Sequence, residues 1–479
     1  MKVAMIASEA SPFAKTGGLA DVLGTLSVAL ERLGHEVVVI IPAHRSALRG
    51  EFGLQETDLQ LLVPVSNRHE DATVMQTKLG KSVSVLLIRA DRYFDREFLY
   101  GTATGDYADN AERFAFFSRA ALEILRAHPV DIVHAHDWQT ALAIVFLKTQ
   151  AERYPETAGA KTVFTIHNLG FQGNFWQPEW HLLNLEPGFF TPQYLEFYGN
   201  INFLKGALVF SDKLTTVSPT YALEIMTQEQ GFGLDGVLRQ RAGDLLGILN
   251  GVDYQQWNPW TDPLISHHYG QNSLTIKRSC KKTLRQILGL PDKPQTPIIA
   301  MISRLTAQKG FELVEAIFPE LMSRNLQFIL LGSGEPRLEH FFRAAAEQYP
   351  NRVAARIGFD DRLAHQIEAG ADIFLMPSRY EPCGLNQLFS LKYGTPPIVR
   401  AVGGLRDSVQ DYDGQLGTGT GFVFEKHEPL ALLEAIDRSL SAYRDGKSWT
   451  ALRRRAMSMD FSWERSAQSY SNLYKQLLS

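Results

Sequence analysis

A chain of 479 residues that is 45% hydrophobic and 21% charged can bury sizeable cores, and domain-size scaling favours two or three domains over one. A formal charge of −4 gives no basic footprint for nucleic acid or an anionic membrane, so any anionic ligand must be met by locally placed cations. Two cysteines, Cys280 and Cys383, are too few for a disulfide framework or a zinc cluster, and no apolar run approaches the roughly 20 residues of a membrane span.

The N-terminus reads as a strand and not as a signal peptide, because its apolar run is short, Glu9 follows and no A-x-A pattern closes it. With the cysteine usage this points to a cytoplasmic protein. Short β-branched runs then alternate with longer amphipathic segments, the pattern of parallel sheets wrapped by helices. Strands are expected at Val3–Ala7, Glu36–Ile41, Val83–Ile88, Asp131–His134, Thr162–Ile166, Lys213–Val217 and Leu246–Leu249. After Asn250-Gly251-Val252-Asp253 and a polar stretch through Asp262 the alternation restarts. Strands follow at Ile298–Ile302, Gln327–Leu331, Arg352–Ile357, Ile373–Met376 and Pro397–Arg400, and Trp463–Leu478 is helical by period. The expected organisation is an α/β fold of two Rossmann-like, doubly wound domains facing a cleft, residues 1–248 and 249–460, with residues 461–479 returning to the first.

The chemically distinctive residues fall at strand ends, where open α/β sheets bind ligands. The first is KTGGLAD, residues 15–21. Gly17 and Gly18 at a helix start let an anion approach unpaired backbone N–H groups and Lys15 adds a point charge, so a phosphate fits; a plain strand-to-helix turn is the alternative. The loop is neither a dinucleotide fingerprint nor a nucleotide-hydrolysing loop. His134-Ala135-His136-Asp137-Trp138 ends one strand and Ile166-His167-Asn168-Leu169 the next. His134 and His136 point the same way, but no third ligand is spaced to help, so no metal is expected; Asp137 and His167 suit a sugar.

In the second half, Arg304 and Lys309 of SRLTAQKG share one strand-to-helix loop and can hold a phosphate through a guanidinium fork and a compact ammonium. A solvated basic loop is the bland alternative. In SRYEPCGLNQ, Glu381 stands at a helix entrance beside the backbone of Gly384, Leu385 and Asn386, which suits a ligand with hydroxyls at one end and phosphate at the other.

These stretches, together with FTIHNLGFQG, EFYGNINFLKGAL, TVSPTYA, LNGVD, YGTPPIVR, VGGLRDSV, TGTGFVF and MDFSWERSAQSY, resemble the bacterial glycogen synthases and plant starch synthases, in order and over essentially the whole chain. The resemblance implies the GT-B architecture and transfer of glucose from ADP-glucose, without a cofactor or metal, to the 4-hydroxyl of an α-1,4-glucan such as glycogen, with retention of configuration. Carried over by motif, Lys15, Gly17 and Gly18 contact the donor, Arg304 and Lys309 neutralise its diphosphate, and Glu381, Cys383, Gly384, Leu385 and Asn386 hold glucose and phosphate. Asp137 and His167 line the sugar side, Asn250 lies by the hinge and Phe359 stacks on the base. Many retaining relatives have a second glutamate eight positions after the first; here Phe389 stands there, which favours the glycogen synthase branch over sucrose or trehalose-phosphate synthases.

Departure of a diphosphate builds negative charge that preorganised cations stabilise, so Lys309 and Arg304 should matter most to turnover. No nucleophile pair of the glycosidase type is evident, and front-face displacement, with the leaving phosphate taking the acceptor proton, is the expected course. Leu249–Val252, with Gly247 and Gly251, is the expected point of closure over the donor. Trp138, Tyr93, Phe94 and Phe175 are candidate stacking surfaces for glucose rings. A nicotinamide oxidoreductase lacks its glycine fingerprint here, a glucan phosphorylase its pyridoxal-lysine motif, and a sugar-binding protein would not need Arg304 and Lys309 opposite Lys15.

Overall fold

The computed structural model describes residues 1–102 and 105–479. The chain divides into two compact units, residues 1–251 with 463–479, and residues 252–462. Among the described residues no helix is long and apolar enough to cross a membrane.

The first unit is built on a nine-stranded sheet in the order Leu245–Gly247, Lys213–Thr216, Lys161–Ile166, Ile132–His136, Lys2–Ile6, Glu36–Pro42, Val83–Arg89, Arg68–Leu79, Gln55–Val65. The first seven run parallel, and the last two add an antiparallel hairpin at one edge. The parallel strands carry near-continuous apolar runs because helices cover both faces. The hairpin strands alternate buried and exposed residues instead, as Arg68–Leu79 shows with Ala72 and Val74 inside and Glu70, Asp71 and Thr73 toward water or at the margin. That weaker, charge-bearing pattern is why the hairpin is not evident in the sequence.

Lys2–Ile6 pairs with Glu36–Pro42 on one side and with Ile132–His136 on the other, so the order of connection reverses between the first strand and Ile132–His136. Ligand crevices of open α/β sheets lie at such reversals, beyond the strands' carboxyl ends. Helix Trp463–Leu478 packs into this unit: Trp463, Ala467, Tyr470, Leu473 and Tyr474 share one core with Val3, Met5, Leu26 and Leu30.

The second unit holds a six-stranded parallel sheet in the order Val353–Ile357, Gln327–Gly332, Ile298–Ile302, Ile373–Met376, Pro397–Arg400, Phe422–Phe424. Its reversal falls between Ile298–Ile302 and Ile373–Met376. Phe311, Phe318, Phe328 and Phe342 form the aromatic centre of its core. Gly247 and Gly251 permit close approach: a Cβ on Gly247 would stand 2.3 Å from the Ser218 carbonyl oxygen, and one on Gly251 2.6 Å from the Trp463 Cα.

Candidate active site

In the first unit the segment after Lys2–Ile6 wraps the start of helix Gly18–Arg32. Ser11 N–H donates to the Ala20 carbonyl at 2.9 Å, and Gly24 permits the approach, since a Cβ there would lie 2.5 Å from the Ser11 carbonyl oxygen. Lys15, Thr16, Gly17 and Gly18 are exposed, Gly17 is extended with open space beside it, and no side chain caps the helix. The helix start at Gly17 and Gly18 is therefore open, at the positive end of a 15-residue helix. Lys15 is bound to Asp21 of that first turn at 2.8 Å, a pair that an incoming anion would compete for.

Beneath this loop the buried Glu9 carboxylate accepts from Thr16 N–H at 2.5 Å and from Thr16 Oγ1 at 2.9 and 3.1 Å. Burial pushes its carboxyl up to about 7 against the opposing pull of those bonds, with Asp21 adding to the rise. Asp137, directly after Ile132–His136, has φ 57° and ψ 176°, a region nearly closed to residues other than glycine. Its carboxylate accepts from the backbone N–H of His167 at 2.7 Å, tying the ends of two neighbouring strands. Burial raises Asp137 to about 7 as well, while the backbone donors of His167 and Asn168 lower it and the charge of Glu9 raises it. The two carboxyls thus resist simultaneous ionisation, and each is already engaged by donors of its own loop.

His134, His136 and His167 form a row. His134 and His136 have ring centroids 4.1 Å apart, and His136 Nδ1 lies 3.1 Å from His167 Nε2. Burial holds all three neutral, with His134 and His167 lowered to about 3. Asn250 is buried at the unit's chain boundary, and its Oδ1 has no partner among the described residues.

In the second unit two loops at the sheet reversal are sewn together. Arg379 N–H donates to the Gln308 carbonyl at 2.8 Å, and Asn386 Nδ2 to the Ile302 carbonyl at 2.6 Å. Gly310, at φ 72°, sits so close that a Cβ would lie 2.0 Å from the Pro377 carbonyl oxygen. Lys309 Nζ donates to both oxygens of the buried Glu381, at 2.9 and 2.7 Å, and Ser378 Oγ donates to Glu381 Oε2 at 2.9 Å. Arg304 is exposed and forms no ion pair among the described residues. Cys383 is buried, and its carbonyl and that of Gly384 each accept from Gln387 Nε2 at 3.0 Å. Leu385 precedes the short helix Asn386–Lys392. Phe359, 84% exposed after strand Val353–Ile357 and the φ 135° of Gly358, offers an open ring face.

The structure thus groups Lys15, Gly17, Gly18, Asp137 and His167 in one unit and Arg304, Lys309, Glu381, Cys383, Gly384, Leu385 and Asn386 in the other, each set at a sheet reversal. It does not bear out the stacking surfaces proposed from sequence. Trp138 packs edge-on against Phe114 at 4.9 Å and beside Phe175, Tyr93 packs on Phe116 at 4.6 Å, and Trp138, Tyr93 and Phe94 are all buried; filling the core is what a large ring in an apolar segment does first. Phe389 has a packing role: its ring stacks on Trp257 at 3.9 Å, whose other face covers His365 at 3.7 Å. Sequence reasoning used Glu9 only as a sign against a signal peptide, and passed over Thr16 and Ser378. The available signal was an acid within the small, apolar stretch Ala7–Ala14, where a charge needs a partner.

Two Rossmann-like units, one carrying a lysine–glutamate pair and the other Asp137 with a row of histidines at the strand ends, fit a glycosyltransferase of the GT-B architecture, the class that the family and structure matches show. Residues 2–240 match the starch synthase catalytic domain and residues 281–456 match the glycosyl transferases group 1 model. Over its full length the chain is 49% identical to a glycogen synthase of Anaeromyxobacter sp. (strain Fw109-5), covering 99% of it, and over 99% of its length 46% identical to that of Koribacter versatilis (strain Ellin345), covering 98%. The catalytic domain of starch synthase IV from Arabidopsis thaliana, solved bound to ADP and acarbose, superposes with a TM-score of 0.92 at 34% identity over 99% of both chains. A sucrose-phosphate synthase from Thermosynechococcus elongatus, with a TM-score of 0.63 and 18% identity over 100% of this chain and 99% of its own, shares the fold. The chain belongs to the glycogen and starch synthase family.

Proposed function

We propose that this enzyme transfers glucose from ADP-glucose to the 4-hydroxyl at the non-reducing end of an α-1,4-glucan, with retention, and so elongates glycogen. The observation that carries this reading is the Lys309–Glu381 pair, with Ser378 beneath it and Arg304 exposed on the same loop system. An arriving diphosphate takes over the Lys309 ammonium and the Arg304 fork, and Glu381, released from Lys309, turns its oxygens to sugar hydroxyls. Lys15 and the open helix start at Gly17 and Gly18 bind the same donor, and Phe359 supplies a flat face for its base.

As the glycosyl–phosphate bond breaks, charge accumulates on the leaving oxygen, where fixed cations lower the barrier. A covalent glucosyl-enzyme would need a free carboxylate. Asp137 is held by backbone donors and Glu9 by Thr16, while Glu381, once released from Lys309, stays bound to Ser378 and is taken up by sugar hydroxyls, which favours front-face displacement with the leaving phosphate as the base.

The test is ADP release from ADP-glucose with and without glycogen, with UDP-glucose run alongside. Release that depends on glycogen and favours ADP-glucose is the expected result; equal release in the absence of any glucan would overturn it. Trapping an adduct on Asp137 or Glu381 with a slow donor would overturn the front-face course.

A further inference from the structure

His136 lies opposite Thr165 in the parallel register of Ile132–His136 with Lys161–Ile166, so His167, two residues further, comes level with the strand's end. Its Nδ1 faces His167 Nε2 at 3.1 Å, while its own Nε2 is fully buried and has no partner among the described residues. His134, the next ring in the row, cannot relieve it, because its Nδ1 is bound to Tyr474 Oη at 2.7 Å and its Nε2 to Thr165 Oγ1 at 2.6 Å. His167 Nδ1 makes no hydrogen bond among the described residues, and His167 is only partly buried.

One proton must lie between His136 and His167, and neutral imidazole carries one proton per ring. If His167 donates from Nε2, then His136 accepts at Nδ1 and its proton is left on a buried, unpartnered Nε2–H. If His136 donates from Nδ1, the buried Nε2 is only a bare acceptor. In protein interiors orphaned N–H donors are rarer than under-satisfied acceptors. We infer that His136 donates from Nδ1 to His167 Nε2, which fixes the proton of His167 on Nδ1 and makes that edge a hydrogen-bond donor to a sugar oxygen of the substrate. His136 is then a positioning residue that sets the tautomer of His167. The depressed basicity of all three rings agrees, since no second proton enters the row near neutral pH. The contact with the sugar rests on the proposed transferase reading; the tautomer does not.

The test is long-range proton–nitrogen correlation on protein labelled with 15N-histidine, with the His167 signals assigned through His167→Gln. The expected pattern is a protonated, pyrrole-type Nδ1 and a bare, pyridine-type Nε2. His136→Phe removes the donor and should move the proton of His167 to Nε2, with kcat falling about 10- to 100-fold while KM for ADP-glucose changes less. His136→Asn, whose amide N–H stands near the position of Nδ1, should restore the His167 pattern and most of kcat. A wild-type His167 protonated on Nε2 overturns the inference even if no variant folds, and so does a folded His136→Phe with unchanged His167 signals. Failure of the wild-type enzyme to use ADP-glucose would instead overturn the transferase reading and leave the tautomer result standing.

Discussion

A carboxylate that gives two hydrogen-bond acceptors to one lysine is a poor place for free negative charge, and this makes the Lys309–Glu381 pair informative at the level of single residues. Lys309→Ala removes the cation offered to the leaving diphosphate and strands Glu381 in a buried position, with Ser378 as its remaining side-chain donor among the described residues. Loss of one preorganised donor costs about 3 to 4 kcal/mol, so kcat should fall about 10²- to 10³-fold. Arg304→Ala should fall similarly in kcat while leaving thermal stability unchanged, because the exposed guanidinium makes no ion pair among the described residues. Steady-state kinetics with calorimetry on both variants checks this; equal loss of stability in the two would be wrong for the roles assigned. Glu9 and Asp137 give a different signature. Their folded carboxyls are raised to about 7 from ordinary values of 4.5 and 3.8, so between those limits the folded state binds the extra protons and stability falls as pH rises. Glu9→Gln removes its part of that decline. Relative to wild type the variant should gain on the order of 2–3 kcal/mol between pH 4 and 8, read by urea unfolding at each pH. A difference that shrinks with rising pH would reverse the sign argued here. The two shifts are coupled, so the double change with Asp137→Asn should give less than the sum.

At the scale of elements, the loops that bear the site are held by glycines used as spacers. Gly310 combines φ 72° with a Cβ position 2.0 Å from the Pro377 carbonyl oxygen, so Gly310→Ala must move the Lys309 loop away from the Glu381 loop. Backbone strain of this kind costs about 1–3 kcal/mol, and the chemistry should suffer beyond it, with kcat reduced more than stability predicts; kinetics beside a melting curve decides the matter. The same loops show what the sequence can and cannot reveal. Ile298–Ile302, Ile373–Met376, Pro397–Arg400 and Trp463–Leu478 are observed at the limits expected from pattern alone, because apolar runs flanked by Pro, Gly or polar turns have sharp ends. Gln55–Val65, Arg68–Leu79 and Phe422–Phe424 are not legible. The first two alternate with charged residues at a sheet edge, and the last is three residues long. Asp137 and His167 were legible as strand-end polar groups, whereas Glu9 was not assigned to the site, because its partner is the backbone and hydroxyl of Thr16, a contact that exists only once the loop has folded back. Trp138 misleads for the opposite reason: an aromatic beside a polar motif looks like a sugar platform, but the interior needed its bulk more.

Across the whole molecule, the chain order and the order of completion differ. The first unit takes its last helix from the far end of the chain, so residues 1–251 are synthesised long before Trp463–Leu478 can seal them. That helix contributes Trp463, Tyr470, Leu473 and Tyr474 to the unit's core and fastens itself by Tyr474 Oη to His134 Nδ1, His35 Nε2 to Ser471 Oγ at 2.8 Å, and Ser466 Oγ to the Leu249 carbonyl at 2.6 Å. Four large side chains at about 1.5–3 kcal/mol each sum to roughly 6–12 kcal/mol, which is the size of a typical domain's entire stability. A chain ending at Ser462 should therefore contain a folded second unit beside a first unit without a fixed core. Residues 252–462, whose sheet and aromatic core are complete without the helix, should unfold cooperatively when expressed alone. Circular dichroism, dye binding and urea unfolding of the full chain, of residues 1–462 and of residues 252–462 test this together. The expected outcome is strong dye binding and a lost transition in residues 1–462, with one retained transition that matches residues 252–462. If residues 1–462 kept both transitions at the midpoints of the full chain, the terminal helix would be an ornament on a core already closed, and the apolar burial assigned to it here would be wrong.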